Sequence, residues 1–339
     1  MRFVTKGQKQ FKANLHSHSV LSDGKKTPEE LVEMYREKGY SILAVTDHEY
    51  PADHTDLTTD DMLMITGYEA YIRPSKICRF NRFAPEIHLN LIARDPHNTG
   101  IVCYDPVCFK YMPLAKQVKA PHYGRIGRRK FTVPYINRFI RAANEHGYLV
   151  SLNHPCWSMQ DTEDLKRLEG LWSLEIFNTA SMKLSGYAEN MPVYDSLLRY
   201  GKTKLYCHGS DDNHNTGPLD DPMSDSFGAW TMVICEELSY GSVIEALEKG
   251  NFYASTGPVI NRLEFEDGKA YVECTDAKRI TMHMTPKYSK TVYDREGKTI
   301  DSAVFDLPSD APYVYFSIVD GNGGKAYTHA FELRTKKKK

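Results

Sequence analysis

Short apolar runs recur along the chain up to residue 257, and most end in polar, titratable residues. Phe11-Lys12-Ala13-Asn14-Leu15 leads to His16-Ser17-His18, Ser41-Ile42-Leu43-Ala44-Val45 to Thr46-Asp47-His48, and Met62-Leu63-Met64-Ile65-Thr66 to Gly67-Tyr68-Glu69. Tyr148-Leu149-Val150-Ser151-Leu152 delivers Asn153-His154-Pro155; two later runs end at Asn178 and at His208-Gly209-Ser210-Asp211-Asp212-Asn213-His214. Continuous rather than alternating hydrophobicity marks strands buried on both faces, as in a parallel sheet. Glu86 to Ala93 reads as a further strand, with His88 inside it rather than at its end. Helical spacing lies between the runs. Thr27 is placed as N-cap, Pro28 at the first helical position and Glu30 to complete a capping box; Leu31, Met34 and Tyr35 form the inward stripe and Gly39 stops the helix. Residues 134–147, 193–199 and 243–249 carry the same period, and 229–235 is another strand.

Strands and helices alternating at this rate, with about seven strand candidates before residue 256, predict an α/β domain of the barrel type. In such barrels the chemistry sits at the C-terminal ends of the strands. Residues 94–133 interrupt the series: rich in Pro, Tyr and basic residues, they read as a long functional excursion over the surface. After Ser255-Thr256-Gly257-Pro258 the pattern becomes one of short alternating strands with turn signals at Asp267-Gly268 and Gly321-Asn322-Gly323-Gly324. The expected organisation is a barrel over 1–257, a small all-β sandwich over 258–335 and a frayed basic tail, 336–339.

Composition narrows the class. A formal net charge of -1 in 339 residues provides no global field for nucleic acid or a membrane surface. Neither a signal-peptide core at the start nor a run of membrane-spanning length is evident, so the cytoplasm is the expected compartment. Seven cysteines without a Cys-X-X-Cys pair fit a reduced environment, with Cys103 and Cys108 structural. Oligomeric state leaves no mark on the sequence.

The strand ends offer His16, His18, His48, His88, His154, His214, Asp23, Glu69 and Asp212, more donors than one tetrahedral ion requires. Imidazole and carboxylate without thiolate suit zinc, manganese or iron. Glu69 is placed to bridge two ions; a metal pair can lower the pKa of a shared water and clamp both oxygens of a phosphoryl transfer. Arg125, Arg128 and Arg129, clustered with Lys130, are either a solvated loop face or a phosphate clamp, since guanidinium forks suit phosphate. Asn178 either caps structure or faces substrate. His54, His97, His122, His146, His208, His283 and His329 read as structural or surface histidines, with His54 and His208 nearest the motifs.

In order and spacing, His16-X-His18 with Ser22-Asp23-Gly24, Thr46-Asp47-His48, Gly67-Tyr68-Glu69, Glu86-Ile87-His88, Asn153-His154-Pro155 and Gly209-Ser210-Asp211-Asp212-Asn213-His214 resemble the successive motifs of the PHP (polymerase and histidinol phosphatase) family. The resemblance covers residues 11–257 and implies a distorted (β/α)7 barrel holding three divalent ions and hydrolysing phosphoesters. It implies one ion on His16, His18, Glu69 and Asp212, a second on Glu69, His88 and His154, and a third on Asp23, His48 and His214. The family's Asp-X-His spacing selects Asp212 over Asp211. Asp211 is then a neighbour of the ligands, a substrate-facing group or the acid for the leaving group, and Asp47 an acceptor for the second N–H of a ligand histidine. The junction at 255–258 followed by a β domain resembles a two-domain subset of the family. The expected activity is hydrolysis of a small phosphate monoester, a nucleotide or sugar phosphate, with a metal-held hydroxide as nucleophile. The alternatives are a phosphodiesterase or nuclease, as polymerase PHP domains suggest, and a metal-retaining binding protein; no membrane or nucleic-acid partner is expected.

Overall fold

A computed structural model describes residues 1–74, 84–187 and 189–333; the expected tail at 336–339 lies outside them. The helix signals after residue 27 act as written. Thr27 accepts from the Glu30 N–H and the Glu30 carboxylate accepts from the Thr27 N–H, opening α1 (Pro28–Glu37), whose Leu31, Met34 and Tyr35 are buried against the neighbouring strand.

The buried runs form β1 (Gln10–Asn14), β2 (Ile42–Val45), β3 (Leu63–Ile72), β4 (Ile87–Ala93), β5 (Tyr148–Leu152), β6 (Ser173–Asn178) and β7 (Tyr206–Ser210), side by side in chain order. The helices α2 (Val133–Glu145), α3 (Met191–Arg199) and α4 (Tyr240–Lys249) fall where the spacing predicts them. The first three strands run parallel, as do the last three. β4 is antiparallel to both neighbours, which corrects the expectation of a parallel sheet. A strand buried on both faces carries a continuous apolar run whichever way it points, so direction leaves no mark on the pattern. The reversal explains His88. As the second residue of a reversed strand, it stands at the same end of the sheet as the C-termini of the parallel strands.

Nor is a closed barrel formed by a ladder among the described residues. Beyond the strands, the Asp212 N–H donates to the His16 carbonyl (2.9 Å), the His18 N–H donates to the Asn213 carbonyl (3.0 Å), and Ser17 and Asn213 make a single bridge. The other edge of β1 pairs antiparallel with β8 (Trp230–Ile234), and β8 pairs with β9 (Phe252–Ser255). The molecule is thus a mixed α/β fold whose curved sheet continues into a C-terminal β region.

In that region β10 (Ile260–Glu266), β11 (Lys269–Ala277) and β14 (Ile300–Asp306) form one sheet, while β12 (Arg279–Thr285), β13 (Tyr288–Val292), β15 (Tyr313–Val319) and β16 (Lys325–Tyr327) extend the large one from β9. Asp267 (φ 47°) and Gly268 (φ 75°) both adopt the left-handed backbone that a two-residue hairpin turn requires. Arg2–Val4 adds a strand to the first of these sheets beside β10, which the sequence pattern did not announce. Val272, Met282, Phe305, Phe316 and Ile318 share one core with Met232 and Tyr253 of β8 and β9. Among the described residues no helix is long and apolar enough to cross a membrane, and the six described cysteines are free thiols.

The excursion is tied down by a buried ion pair. The Arg129 guanidinium grips both carboxylate oxygens of Glu49 and donates to the carbonyls of Tyr71 (2.9 Å), Val102 (3.2 Å) and Cys103 (3.1 Å). Glu49 in turn accepts from the Tyr71 N–H (2.9 Å) and donates its own N–H to the Glu69 carbonyl (2.8 Å). Arg129 is therefore structural rather than a phosphate clamp. Removing one partner strands the other charge in the interior, so Arg129→Met is expected to lower unfolding stability by about 3–5 kcal/mol. Urea denaturation checks this, with Arg129→Met/Glu49→Gln expected to recover part of the loss; an unchanged midpoint for the single variant would remove the pair from this role.

Candidate metal centre

Four loops and two strands deliver the donors to one end of the sheet. His16 and His18 follow β1 in an extended segment whose alternation turns both rings inward. Asp23 lies on the loop beyond them, His48 just past β2, and Glu69 in β3 where that strand outruns β2. His154 follows β5; Asp212 and His214 follow β7. His154 (φ 25°) and Asp212 (φ 57°) hold left-handed backbone, strain of the kind that neighbouring structure must impose.

Glu69, fully buried, is the hub. Its Oε1 lies 3.0 Å from His88 Nδ1, 3.3 Å from His16 Nε2 and 3.4 Å from His154 Nε2; its Oε2 lies 2.9 Å from His48 Nδ1 and 3.5 Å from His18 Nε2. Asp212 Oδ1 faces His16 Nε2 (3.1 Å) and His18 Nε2 (2.9 Å). At the outer edge Asp23 faces His214 Nε2 (3.5 Å) and His48 Nε2 (3.7 Å). Donor atoms lie mutually within 4.8 Å in four groups: His16, His18, Glu69 and Asp212; His18, Asp23, His48 and His214; His48, Glu69 and His88; and His16, His154 and Glu175. The first two contain the expected first and third ligand sets. The expected second set, Glu69 with His88 and His154, is divided between the other two.

Electrostatics and lone pairs agree with a cation site. Burial opposes charge on every group, yet the imidazoles hold Glu69 well below the usual carboxylate range. Burial would lower His88, but Glu69 and Glu86 raise it to about 10. Burial, with His214 and His48 beside it, drives His18 down to about 3. His16 Nε2 and His18 Nε2 face each other at 3.2 Å around the same carboxylate oxygen. Glu69 Oε2 and His48 Nδ1 are buried and face each other at 2.9 Å without the alignment of a hydrogen bond, and neither has a hydrogen-bond partner elsewhere among the described residues. Converging lone pairs with orphaned acceptors are costly in a dry interior unless a cation or proton occupies the space between them. The nitrogen and oxygen donors fit divalent zinc, manganese or iron.

Around this layer the structure departs from several sequence expectations. Asp47 takes the Ser19 N–H (2.8 Å), Ser19 Oγ (2.6 Å) and Ser22 Oγ, fixing the loop between His18 and Asp23 rather than orienting a histidine. Asp211 points away from the donors: its oxygens are saturated by Tyr35, Thr179 and the N–H groups of Phe227, Gly228 and Ala229, and burial pushes it up to about 6. Consecutive residues leaving a strand face opposite ways, so Asp212 can enter the centre only if Asp211 turns outward. The histidine-orienting carboxylate is instead Glu175, which receives His16 Nδ1 (3.0 Å), the His154 N–H (3.0 Å) and Asn178 Nδ2 (2.8 Å). An acid inside the run Leu174-Glu175-Ile176-Phe177 was its available signal. Asn178 caps the following turn through the Ser181 N–H and also donates to Asp212 Oδ2 (3.1 Å). His208 bonds Ser173 Oγ (2.9 Å) and burial drives it to about 4, a structural residue.

Arg125 and Arg128 are exposed, and Arg128 lies 3.9 Å from Asp105, so neither joins the centre. Among the described residues, Arg73 and Lys110 are the arginine and lysine side chains that line the cavity beside it. Trp157, Tyr111 and Glu86 line it with them; its volume is about 170 Å³ and it opens on Asp23, His48 and His88.

These features define a candidate metal centre built on a mixed α/β sheet. Residues 14–168 match the PHP domain model. The matched stretch holds the donors from His16 to His154; Asp212 and His214 come from beyond it. No curated protein matches the chain. Among solved structures, the chain is similar to a two-domain protein from Bacteroides vulgatus containing a predicted PHP-like metal-dependent phosphoesterase, at 16% identity over 96% of this chain and 97% of that one, TM-score 0.48. It is also similar to a candidate metal-dependent phosphoesterase from Bifidobacterium adolescentis (17%, 63% and 92%, 0.41) and to an amidohydrolase from Chromobacterium violaceum (16%, 62% and 93%, 0.41). TM-scores this low leave these likenesses without functional weight.

Glu175 fixes the ring of His16 without occupying the position of a shared ligand. Glu175→Gln is expected to weaken metal binding by roughly 10–100-fold, the usual effect of removing a carboxylate behind a ligand histidine. Competition with a chromophoric chelator measures it, and an unchanged affinity would count against that orienting role.

Proposed function

We propose that the protein is a phosphoric ester hydrolase that uses three divalent ions to cleave small phosphate monoesters. The observation that carries this reading is Glu69, a buried carboxylate with imidazoles on both oxygens, set in the stretch that matches the PHP domain model. His16, His18, Glu69 and Asp212 would hold one ion, Asp23, His48 and His214 a second, and His88 and His154 with Glu69 a third; the closeness of His48 to His88 and of His154 to Glu175 makes the last the least independent. Such ions supply an acidified water and neutralise charge that develops on phosphorus oxygens. The chain's own part is to position and exclude. Glu175 and Asn178 hold His16 and Asp212, the Asp47 loop fixes His18 relative to Asp23, and the excursion narrows the mouth. We read the curved seven-strand sheet as the family's distorted barrel, opened along its β7–β1 seam, and residues 258–335 as a β domain attached to it.

The metal content of purified protein and its turnover of a panel of nucleotides and sugar phosphates test this directly. Glu69→Gln and His48→Ala are expected to lower turnover by about a hundredfold or more, in the range lost with groups that organise transition-state charge. No metal-dependent phosphate release from any monoester would overturn the reading, and degradation of single-stranded DNA alone would favour a nuclease. Asp23→Ala is expected to lose one ion first; unchanged occupancy by elemental analysis would show the division of ligands to be wrong.

A further inference from the structure

The cavity beside the donors has two features that the metal centre does not use. Lys110, on the excursion, is exposed, and its Nζ sits 4.3 Å over the Tyr111 ring with no carboxylate within ion-pair distance among the described residues. Tyr111 reaches back to Asp23 Oδ2 (3.4 Å), so the backbone carrying Lys110 is held beside the outermost donor cluster. In the same lining Trp157 is 41% exposed, and its ring stands edge-on to His154 (4.9 Å, 84°) and His88 (5.7 Å, 67°). An aromatic of this size at a polar mouth exposes area that water does not favour, and it is held against two donor histidines rather than turned into a core.

We propose that Lys110 and Trp157 select the substrate: Lys110 binds the outward oxygens of a phosphate dianion and Trp157 packs on a compact planar group esterified to it. This rests on the hydrolase reading above. The lysine suits a dianion as a mobile point charge, whereas the excursion's guanidinium at Arg129 is already spent on Glu49. Size agrees. A cavity of about 170 Å³ is comparable to the ~150 Å³ that accommodates a benzene ring, which favours a single-ring group over a polymer. Charge agrees as well: Asp23 and Glu86 line the same cavity, Arg73 there pairs with Glu86 (3.7 Å), and Lys110 is the cation on the side of Tyr111 and Asp23. The substrate class is then a phosphate monoester of a ring-sized planar alcohol.

Isothermal titration of zinc-loaded protein with inorganic phosphate and with phenylphosphonate, which has no ester to cleave, separates the two roles. Lys110→Ala is expected to weaken both ligands about tenfold, the scale of one charge-assisted hydrogen bond. Trp157→Ala is expected to weaken phenylphosphonate alone, and Trp157→Phe to restore most of that loss. Lys119→Ala, on the same excursion but lining the neighbouring cavity, should change neither. Equal phosphate affinity in wild type and Lys110→Ala, equal losses for both ligands in Trp157→Ala, or no binding by the wild type would each overturn the proposal. If this binding pattern appears but no ester is hydrolysed, the hydrolase reading falls and the mouth assignment stands; hydrolysis without the pattern gives the reverse.

Discussion

Everything at the functional end of this protein depends on a single carboxylate that water cannot reach. Glu69 sits at the bottom of the centre with both oxygens turned toward imidazoles, and a bare anion there would be prohibitively costly. Its neighbours are consequences of that cost. His16 and His18 come from the first strand's end, His48 from the second, His88 from a strand that must run backwards to reach it, and His154 from the far side of the excursion. Asn153 adds a neutral donor to Oε1 at 2.8 Å. The Glu69 carbonyl accepts the Glu49 N–H from outside the centre, and so couples the charge to the buried Arg129 pair.

Two concentric layers follow. The inner one is made of groups whose lone pairs converge; the outer one, Glu175, Asn178, Asp47 and Asp211, is made of groups whose bonds are almost all satisfied by the protein. The distinction is physical rather than positional, since Asp211 and Asp212 are adjacent in the chain and belong to different layers. Asp211 spends its acceptors on Tyr35, Thr179 and three backbone N–H groups, which shapes the turn that presents Asp212.

Much of this is legible in the sequence alone. Each donor follows or interrupts an apolar run, so a burial pattern alone places the histidines near strand ends, and the Thr27, Pro28 and Glu30 signature fixes a helix start to the residue. What was not legible has identifiable causes. Strand direction is invisible in a run buried on both faces, which hid the reversal of β4 and with it the reason for the position of His88. Edge pairing depends on distant partners, so neither the β1–β8 pairing nor the strand at Arg2–Val4 could be read locally. The excursion lacks a period, and among its basic residues nothing in the sequence separates Arg129, which is buried, from Arg128, which is not. Glu175 was legible in principle as a charged residue in an apolar strand, but an inward acid looks the same whether it ligates or orients.

The seam between β7 and β1 joins residues that are nearly two hundred positions apart: Asp212 to His16, and Asn213 to His18. During synthesis at about 5–20 residues per second, His16 and His18 therefore emerge on the order of ten to forty seconds before the carboxylate that completes their cluster exists. Through that interval His16 and His18 share only the donors already made, from Asp23 to His154, and their cluster stays one carboxylate short. The last strand of the curved sheet, β7, is therefore the element whose arrival completes the cluster.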